Sequence, residues 1–428
     1  MNNDATTSAD VSKKFKYWQT RTIVGTMIGY ALYYFVRKNL SMAIPGMQED
    51  LGIGKAELGI FLTLHGLIYG VSKFVNGIIG DRVNSRHFMV LGLLLSAFCN
   101  VAFGFSSAVM VLGVVWVLNG WFQGMGFPPC ARLMTHWVPP QELATKMSIW
   151  NTSHSIGAGL VVVVCGYVAS HMSWRWAFFI PSIIAILGAI YIWIQLRDTP
   201  SSVGLPELHN ESTENSDDKE KKSAEFKAFL RKNVFLNPYI WVISIANFFV
   251  YVVRYGVLDW GPTILSEWKG VSLQKAGWMV AGFEIAGIAG MLLAGWATDR
   301  FFKGKAIRVC LLCMFFVSIF VFIFWKMEHP PMWLASLVLM CTGFFIYGPQ
   351  ALIGIAAANL ATNKAAATAG GFTGLFGYAS TVVSGWGLGY LAQHYGWDVT
   401  FEILFITSVI GTIVFLFGWK AKAHGYTS

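Results

Sequence analysis

Apolar runs long enough to cross a bilayer recur along nearly the whole of this chain. A helix of roughly 20 apolar residues spans the hydrocarbon core of a membrane. Hydrophobic residues make up 55% of the 428 residues and charged residues only 12%, whereas soluble domains carry about 25% charged residues. The runs lack the alternating pattern of an outer-membrane barrel. The sequence therefore predicts an all-α integral membrane protein.

The apolar runs form two groups of six, separated by a polar segment. The predicted spans are 21–44, 57–80, 87–106, 109–130, 143–169, 174–196, 236–264, 275–298, 306–326, 332–355, 364–392 and 397–419. The segment between the groups, 197–235, contains a charged run from Asn210 to Lys222, and we expect it to be a solvated, partly disordered linker. The predicted organisation is a cytoplasmic N-terminal segment (1–20), a six-helix bundle (21–196), a cytoplasmic linker (197–235), a second six-helix bundle (236–420) and a cytoplasmic tail (421–428).

Positive charges lie mainly in the loops on one side of these spans. With both termini in the cytoplasm, 22 of the 31 Lys and Arg residues fall in inside segments, five in outside segments and four within spans. This distribution follows the positive-inside rule and predicts a multi-pass protein of the inner (cytoplasmic) membrane. Met1–Lys16 has no short apolar core followed by a cleavage site, so we expect no signal peptide.

A repeated motif indicates that the two groups of spans are copies of one unit. Gly77-Ile-Ile-Gly-Asp81-Arg82 recurs as Gly295-Trp-Ala-Thr-Asp299-Arg300, offset by 218 residues. Two six-span halves related by an axis along the membrane normal resemble the major facilitator superfamily. That resemblance implies a binding site near the midplane, between the halves. The glycines are expected to let helices approach closely.

Two arginines, Arg37 and Arg254, lie deep within predicted spans and are 217 residues apart. A charge at that depth costs at least ~2.5–3.5 kcal/mol on insertion scales, so such residues usually serve a function. The matching offset makes them symmetry mates facing a shared axis. Arginine forks bind phosphate and carboxylate oxygens bidentately. The pair therefore predicts an anion-binding site in a transporter.

The charges within the spans do not cancel. Arg37, Arg254, Lys38 and Lys73 give +4, and two acidic residues, Asp259 and Glu284, give −2. A buried excess of positive charge requires a counter-ion. A phosphate monoester, with about −1.5 to −2 charge at neutral pH, matches the deficit. A dicarboxylate would match it as well.

Aromatic residues accompany both arginines. Tyr30, Tyr33 and Tyr34 precede Arg37 by seven, four and three residues, which predicts that all four lie on one helical face. Tyr251 precedes Arg254 by three residues in the same way. An interfacial aromatic belt explains isolated tyrosines but not their clustering on an arginine face. We therefore expect these tyrosines to line the cavity.

Three further polar residues are candidates for the same cavity. Lys73 lies in an otherwise apolar span and either lines the cavity, pairs with Asp259 or Glu284 as a gate, or extends to the loop end. His154 and Asn151, three residues apart, share one face of the fifth span. An intramembrane histidine is more often a satisfied core residue than a ligand contact, and Asn151 shifts the balance toward the ligand.

Motifs of chemistry and cofactor binding are missing from the sequence. There is no GxxxxGK[ST] loop for ATP, no nucleophile paired with a base and no metal cluster. The Cys310-x-x-Cys313 pair lies within an apolar span without further ligands, so both cysteines are expected to be buried packing residues. We expect no catalytic residues and no cofactor, and transport driven by an ion or an exchanged solute.

Motifs spread from about residue 17 to 420 resemble one family in particular. They are Tyr33-Tyr-Phe-Val-Arg-Lys-Asn39, Ser72-Lys-Phe74, Gly120-Trp-Phe-Gln-Gly-Met-Gly-Phe-Pro-Pro-Cys130, Trp150-Asn-Thr-Ser-His154, Arg197-Asp-Thr-Pro200, Val250-Tyr-Val-Val-Arg-Tyr-Gly-Val-Leu-Asp-Trp260, Tyr347-Gly-Pro-Gln350 and Gly371-Phe-Thr-Gly-Leu-Phe-Gly-Tyr378. In these motifs the chain resembles the organophosphate–inorganic phosphate antiporters of the major facilitator superfamily.

The resemblance implies roles for individual residues. Arg37 and Arg254 would clamp the phosphate, His154 would contribute at the same site, and Lys73 would assist binding or closure. The cavity-lining or gating residues would be Tyr30, Tyr33, Tyr34, Asn151, Tyr251, Asp259, Glu284, Tyr347 and Tyr378. The implied cycle is rocker-switch exchange by a functional monomer, in which outflow of inorganic phosphate drives uptake of an organic phosphate.

The resemblance favours glycerol-3-phosphate as the organic substrate. Arg254-Tyr-Gly-Val-Leu-Asp-Trp260 is most similar to the glycerol-3-phosphate members, and the eleventh span lacks the intramembrane Asp and Lys of the hexose-phosphate transporters. Tyr69-Gly-Val-Ser-Lys-Phe-Val75 is more similar to the hexose-phosphate branch, which stays the alternative. A sensor that binds a sugar phosphate and signals without transport would share the arginines. A proton-coupled drug or sugar carrier generally has a central carboxylate instead.

Overall fold

The computed structural model describes residues 2–80, 82–208, 225, 227–328, 330–361 and 365–422. Its regular elements in this part of the chain are helices, which confirms the all-α class. The α-helices are α1 (Asn2–Phe35), α2 (Leu40–Leu51), α3 (Lys55–Gly80), α4 (Ser85–Phe105), α5 (Val109–Gln123), α6 (Phe127–Trp137), α7 (Pro140–His171), α8 (Trp176–Gln195), α9 (Pro238–Glu267), α10 (Leu273–Arg300), α11 (Ala306–Lys326), α12 (Met332–Ala361), α13 (Ala366–Ala379), α14 (Leu388–His394) and α15 (Gly396–Phe417). Short turns at Pro200–Val203 (3₁₀), Arg231–Phe235 (π) and Val382–Gly387 (π) complete the list.

Ten segments in the described part of the chain are long and apolar enough to cross a membrane. They correspond to ten of the predicted spans, because a helix that satisfies its own backbone hydrogen bonds is stable in lipid. The other two predicted spans, 21–44 and 364–392, are interrupted. α1 ends at Phe35 and α2 begins at Leu40, and a π turn lies between α13 and α14. The first predicted span thus contains a break at 36–39.

The structure describes the polar segments only in part. The N-terminal segment predicted at 1–20 is helical from Asn2 onward and continues directly into the first span. Part of the predicted linker, including the charged run from Asn210 to Lys222, lies outside the described residues.

The chain divides into two compact units. The first comprises 1–40, 68–161 and 172–212, and the second comprises 41–67, 162–171 and 213–428. The second unit thus includes the beginning of α3 (55–67) and the last part of α7 (162–171). The division into two bundles at the linker stays a prediction.

An aromatic cluster forms the core of the first unit. Phe103 of α4 lies 4.4 Å from Phe178 of α8 and 5.3 Å from Trp116 of α5, measured between ring centroids. All three side chains are almost fully buried. Aromatic pairs at such distances contribute beyond their buried area. The cluster therefore ties α4, α5 and α8 together.

Glycines bring α10 and α12 into backbone contact in the second unit. A Cβ atom placed on Gly290 would lie 1.8 Å from the carbonyl oxygen of Phe344, and one on Gly343 would lie 2.2 Å from that of Phe283. Small residues at helix interfaces permit this approach. The glycines of the repeated motif behave differently, since a Cβ on Gly77 or Gly295 would meet nothing within 4 Å among the described residues. The expectation that those two glycines permit close packing is wrong.

The beginning of α3 packs within the second unit against the π turn and α14. The Thr63 hydroxyl donates to the Thr381 carbonyl over 2.8 Å. The Lys55 ammonium lies 2.9 Å from the Glu267 carboxylate. A Cβ on Gly59 would lie 2.6 Å from the carbonyl oxygen of Gly385. Polar and close backbone contacts together hold this end of the unit.

Candidate functional site

Arg37 lies in the break between α1 and α2. The main-chain amides of Arg37 and Lys38 donate to the Tyr34 carbonyl over 3.3 and 2.9 Å, which ends the helix in a tight turn. Arg37 is 8% exposed. Its guanidinium carbon lies 3.9 Å from the ring centroid of Tyr69 and 5.5 Å from that of Tyr34. Arg37 therefore lies against two aromatic faces, an arrangement that favours a cation.

Buried amides explain why the helix breaks at this point. The carbonyl of Val36 accepts a hydrogen bond from the side-chain amide of Asn100 and another from that of Asn119, each over 2.9 Å. Both asparagines are fully buried. A main-chain carbonyl that leaves the helical ladder inside a membrane needs such partners, because an unsatisfied group there costs several kcal/mol. Two distant helices, α4 and α5, thus stabilise the bend beside Arg37.

The amides belong to a larger network within the first unit. The Asn39 side chain donates to Asn100 Oδ1 over 2.8 Å and to the Ala177 carbonyl over 2.9 Å. The Ser96 hydroxyl donates to Asn119 Oδ1 over 2.5 Å. These bonds fix the orientation of both amides, because each asparagine oxygen accepts while its nitrogen donates to Val36. The network holds the chain on either side of Arg37.

His154 lies on α7 beside Tyr34, with ring centroids 5.8 Å apart. Its Nδ1 contacts the Asn151 carbonyl, which can only accept, so Nδ1 carries a proton. Its Nε2 lies 3.3 Å from the Ser155 hydroxyl. The structure therefore brings His154 and the main chain of Asn151 to the Arg37 cluster, with the tautomer set by the backbone.

Lys73 and Tyr30 lie against aromatic rings next to the Arg37 cluster. The Lys73 ammonium lies 4.0 Å from the ring centroid of Phe127. The Tyr30 ring lies 4.8 Å from that of Trp150 and 5.7 Å from that of Tyr34. Lys73 is half-buried, as a residue that lines a cavity would be.

Tyr33 does not join this cluster. Its hydroxyl donates to the Met89 carbonyl of α4 over 2.7 Å, and its side chain is 1% exposed. A Cβ on Gly92 or Gly126 would meet the Tyr33 side chain within 3.0 Å. Tyr33 thus packs toward α4, in the gap left by the two glycines, and its predicted place beside Arg37 stays a prediction.

In the second unit Arg254 is held by a tyrosine that also binds a carboxylate. The guanidinium Nη2 of Arg254 donates to the Tyr347 hydroxyl over 3.1 Å, and that hydroxyl donates to Glu284 Oε1 over 2.5 Å. Arg254 is 2% exposed, and the other two are fully buried. Tyr347 therefore couples a buried cation on α9 to a buried anion on α10.

Three predicted residues, Tyr347, Tyr251 and Tyr378, and one that was not predicted, Tyr255, form the tyrosine cluster around Arg254. Its guanidinium carbon lies 4.8, 5.5 and 5.8 Å from the ring centroids of Tyr347, Tyr255 and Tyr251. The Tyr378 ring lies 6.3 Å from that of Tyr251. Asp259, five residues after Arg254 on α9, is buried at 6% exposure. The second unit thus surrounds its arginine with tyrosines, as the first unit does.

Each cluster presents a buried guanidinium among hydroxyl and aromatic groups. Such a set can bind an oxyanion through charge-assisted hydrogen bonds, and its aromatic walls exclude water. No group of three His, Cys, Asp or Glu side chains in the described chain could hold a metal.

Tyr69, Asn100 and Asn119 were not among the predicted site residues. Tyr69 lies four residues before Lys73, the spacing of one helical face. Asn100 and Asn119 lie within apolar spans, where a buried amide requires a partner. The helical spacing and the buried amides could have identified these three residues. They could not have identified the Val36 carbonyl as the acceptor that the two asparagines share.

The sequence matches the family profile described as Major Facilitator Superfamily over residues 26–385 and 270–425. The fold is similar to that of a solved bacterial homologue of the human lysosomal transporter Spinster, with a TM-score of 0.78, 14% identity, and coverage of 94% of this chain and 96% of that one.

Three curated proteins are similar over most of their length. The glycerol-3-phosphate transporter of Bacillus subtilis is 42% identical, covering 94% of this chain and 92% of that protein. A probable hexose phosphate transport protein of Chlamydia trachomatis is 41% identical, covering 96% of this chain and 93% of that protein. The membrane sensor protein UhpC of Escherichia coli is 36% identical, covering 95% of this chain and 93% of that protein.

Proposed function

This chain belongs to the Major Facilitator Superfamily, and we propose that it is a secondary transporter that exchanges an organic phosphate ester for inorganic phosphate. It shares substantial identity with carriers named for phosphate esters. We further propose that it works as a monomer in the inner membrane.

The observation that carries the proposal is one buried arginine in each unit. Arg37 and Arg254 are 8% and 2% exposed, and aromatic rings surround both. Buried guanidinium groups favour an anion, and their planar forks match the oxygens of a phosphoryl group. The repeat in the sequence makes the two residues equivalent. In the proposed site both bind the phosphoryl group, which is common to the ester and to inorganic phosphate.

His154 and Lys73 supply the remaining positive groups of the proposed phosphate site. His154 is 3% exposed beside Tyr34. Its Nδ1 contacts the Asn151 carbonyl and its Nε2 lies 3.3 Å from the Ser155 hydroxyl, so in the proposed site the protonated ring contributes its positive charge. Lys73 assists binding or closure from α3. In the proposed site Asp259 and Glu284 line the cavity or act as gating carboxylates.

Glu284 and Tyr347 give the second unit a counter-charge when substrate is absent. Tyr347 lies between Arg254 and Glu284, so the cation and the anion interact through its hydroxyl. A phosphoryl group that binds Arg254 competes for the same donors. In the proposed cycle, bound anion neutralises the arginines and allows reorientation, whereas the empty site does not reorient. Exchange is then obligatory, and strong uptake by phosphate-free vesicles would contradict it.

Glycerol-3-phosphate is the organic substrate we favour, with a hexose 6-phosphate as the alternative. The favoured assignment depends on the Arg254–Trp260 motif and on the eleventh span, which has Thr381-Val-Val-Ser-Gly385 where the hexose-phosphate transporters have an intramembrane Asp and Lys. Identities of 42% and 41% to carriers of the two kinds do not separate them.

A sensor is the second candidate, favoured by 36% identity to a membrane sensor protein. A sensor binds its ligand through the same arginines and transports little of it. Turnover, not binding, therefore distinguishes the two functions.

The test is counterflow in proteoliposomes loaded with inorganic phosphate. Labelled glycerol-3-phosphate and labelled glucose-6-phosphate are offered separately outside, and vesicles without internal phosphate are the control. We expect saturable uptake of glycerol-3-phosphate that depends on internal phosphate. Uptake of glucose-6-phosphate alone would establish the hexose alternative. Specific binding without uptake would establish the sensor.

Matched variants test the site in the same assay. Arg37→Lys and Arg254→Lys keep the charge but lose the bidentate fork, so each is expected to reduce exchange severely. Arg231→Lys, at an exposed position, is the control. Near-normal exchange in either site variant would refute the assigned phosphate clamp.

A further inference from the structure

A groove between α1 and α8 lies apart from the arginine clusters. It encloses about 480 Å³ and is bordered by Lys13, Lys16, Tyr17, Arg21 and Val24 of α1, with Tyr191 of α8 among the opposite residues. The α1 residues fall at helical spacings of three and four, so they form one continuous stripe. A Cβ on Gly25 would lie 2.9 Å from the Leu196 side chain, and this close approach closes the back of the groove.

The groove has a strongly positive lining. Lys13, Lys16 and Arg21 contribute three cations, and the described residues that line it include no acidic side chain. Lys13 and Lys16 are exposed and form no salt bridge within the described chain. The nearest acidic residue along the helix, Asp10, is one turn before Lys13 and exposed. The charges of this groove are therefore open to an anion.

Arg21 is fixed in place, unlike the two lysines. Its Nε donates to Gln195 Oε1 over 2.6 Å, and its Nη1 donates to the Tyr17 hydroxyl over 2.7 Å. Its guanidinium carbon lies 4.7 Å from the Trp18 ring centroid. A cation held in one orientation by both walls is preorganised for a ligand.

Aromatic and basic residues around the groove mark the level of the membrane surface. Arg86 lies 4.2 Å from the Trp193 ring and Arg197 lies 4.9 Å from the Trp18 ring. Tryptophan, tyrosine and arginine concentrate where hydrocarbon meets water. Deeper on α8, Leu187 is 62% exposed, as a lipid-facing residue is.

Polarity changes along the length of the groove. From Lys13 to Val24 the α1 axis rises roughly 16 Å at 1.5 Å per residue. The lysines lie at the outer end, and Val24, 43% exposed, lies at the deep end. An anionic headgroup joined to an acyl chain has the same order of groups over a similar length. A free anion would not use the apolar end.

We propose that this groove binds an anionic phospholipid, with its phosphate among Lys13, Lys16 and Arg21 and an acyl chain along Val24 and Tyr191. The site is independent of the proposed transport function, because none of its residues belongs to the arginine clusters. The lipid would stabilise the contact between α1 and α8 in the leaflet at this end of the unit.

Native mass spectrometry of the purified full-length protein tests the proposal. Phosphatidylglycerol and phosphatidylcholine with the same acyl chains are added to the protein in detergent, and bound lipid is counted. We expect preferential retention of phosphatidylglycerol. Lys13→Gln/Lys16→Gln is expected to weaken it roughly 30-fold, since each basic residue near an anionic lipid surface contributes about fivefold. Arg231→Gln/Lys232→Gln, which removes two exposed charges elsewhere, is the matched control and is expected to bind as the parent does.

Val24→Trp tests the apolar end without changing charge. It fills the groove from an exposed position, so it is expected to lower phosphatidylglycerol retention while thermal unfolding stays unchanged. If Val24→Trp retained as much phosphatidylglycerol as the parent, the lipid would be bound by a diffuse basic patch, and the proposed groove site would be wrong. Equal retention of the two lipids by the parent, or displacement of phosphatidylglycerol by millimolar inorganic phosphate, would also overturn the proposal.

Discussion

The side-chain amide of Asn119 donates to the main-chain carbonyl of Val36 over 2.9 Å, one residue before the buried Arg37. Asn100 donates to the same oxygen. The position of Arg37 thus depends on residues more than 60 positions away in the chain. Two amides on one carbonyl stabilise a local break that a continuous helix would otherwise remove.

Asn119→Leu is expected to weaken inorganic phosphate binding roughly tenfold, which corresponds to about 1.4 kcal/mol. It removes the donor and leaves a buried carbonyl with one partner fewer, at a cost of about 1–3 kcal/mol. The turn at 36–39 then rearranges and moves Arg37. Phosphate affinity is measured by isothermal titration. Ser182→Ala is the control, because that buried hydroxyl bonds only carbonyls of α4 and of its own helix.

A merely structural role for Asn119 would lower the melting temperature of both variants without separating their phosphate affinities. Asn119→Leu with unchanged affinity would show that the amide does not position Arg37.

Tyr347→Phe is expected to weaken phosphate binding and to destabilise the second unit. The change removes the hydroxyl that joins Arg254 to Glu284 and leaves both charges buried without it. Loss of a hydrogen bond to a charged group costs about 1.5–3 kcal/mol. Thermal unfolding and phosphate titration are the measurements.

Tyr390→Phe is the control for Tyr347→Phe. Tyr390 is 39% exposed, and its hydroxyl makes no hydrogen bond in the described part of the chain. Equal melting temperatures for the two variants would contradict the coupling through Tyr347.

Gly59→Ala is expected to destabilise the protein by about 1–3 kcal/mol, the usual cost of overpacking. Its Cβ would lie 2.6 Å from the Gly385 carbonyl oxygen, and backbone atoms cannot rotate away. Gly354→Ala is the matched control, since that helical glycine has open space around it. The control also measures the gain in helix propensity. A Gly59→Ala variant as stable as Gly354→Ala would show that α3 does not contact Gly385 in this way.

Stability is expected to rise with pH between about 8 and 10.5 because of Lys269. This residue lies between α9 and α10, where burial lowers its pKa from 10.5 to about 8 despite the opposing charges of Asp398 and Glu328. Between these values the unfolded state binds more protons than the folded state, so raising the pH favours folding. The gain is absent below about pH 8 and complete above about pH 10.5.

Denaturation midpoints at pH 7.5 and 9.5 measure this effect. Lys269→Met is expected to abolish the rise, whereas Lys275→Met, at an exposed position nearby, retains it. A rise of equal size in Lys269→Met would exclude Lys269 as its source.

The spans were largely predictable because each depends on local composition. A helix in lipid satisfies its own hydrogen bonds, so roughly 20 apolar residues suffice to predict it. The all-α class followed from the same rule, and the superfamily followed from the repeated motif and the two arginines. The roles of Arg37, Arg254, His154 and Lys73 stay proposals, although the structure places Arg37 and His154 near Tyr34.

What the sequence by itself determined is the set of membrane helices and the presence of an arginine in each repeat, since both depend on residue type and spacing along the chain. What only the tertiary structure decided is how the groups are used. The break before Arg37 requires Asn100 and Asn119 from other helices, Tyr33 turns toward α4 because Gly92 and Gly126 leave room, and Tyr347 joins Arg254 to Glu284. Helical periodicity gives the face of a residue on its own helix. The partners on neighbouring helices, which fix buried polar groups in a membrane, are set by packing.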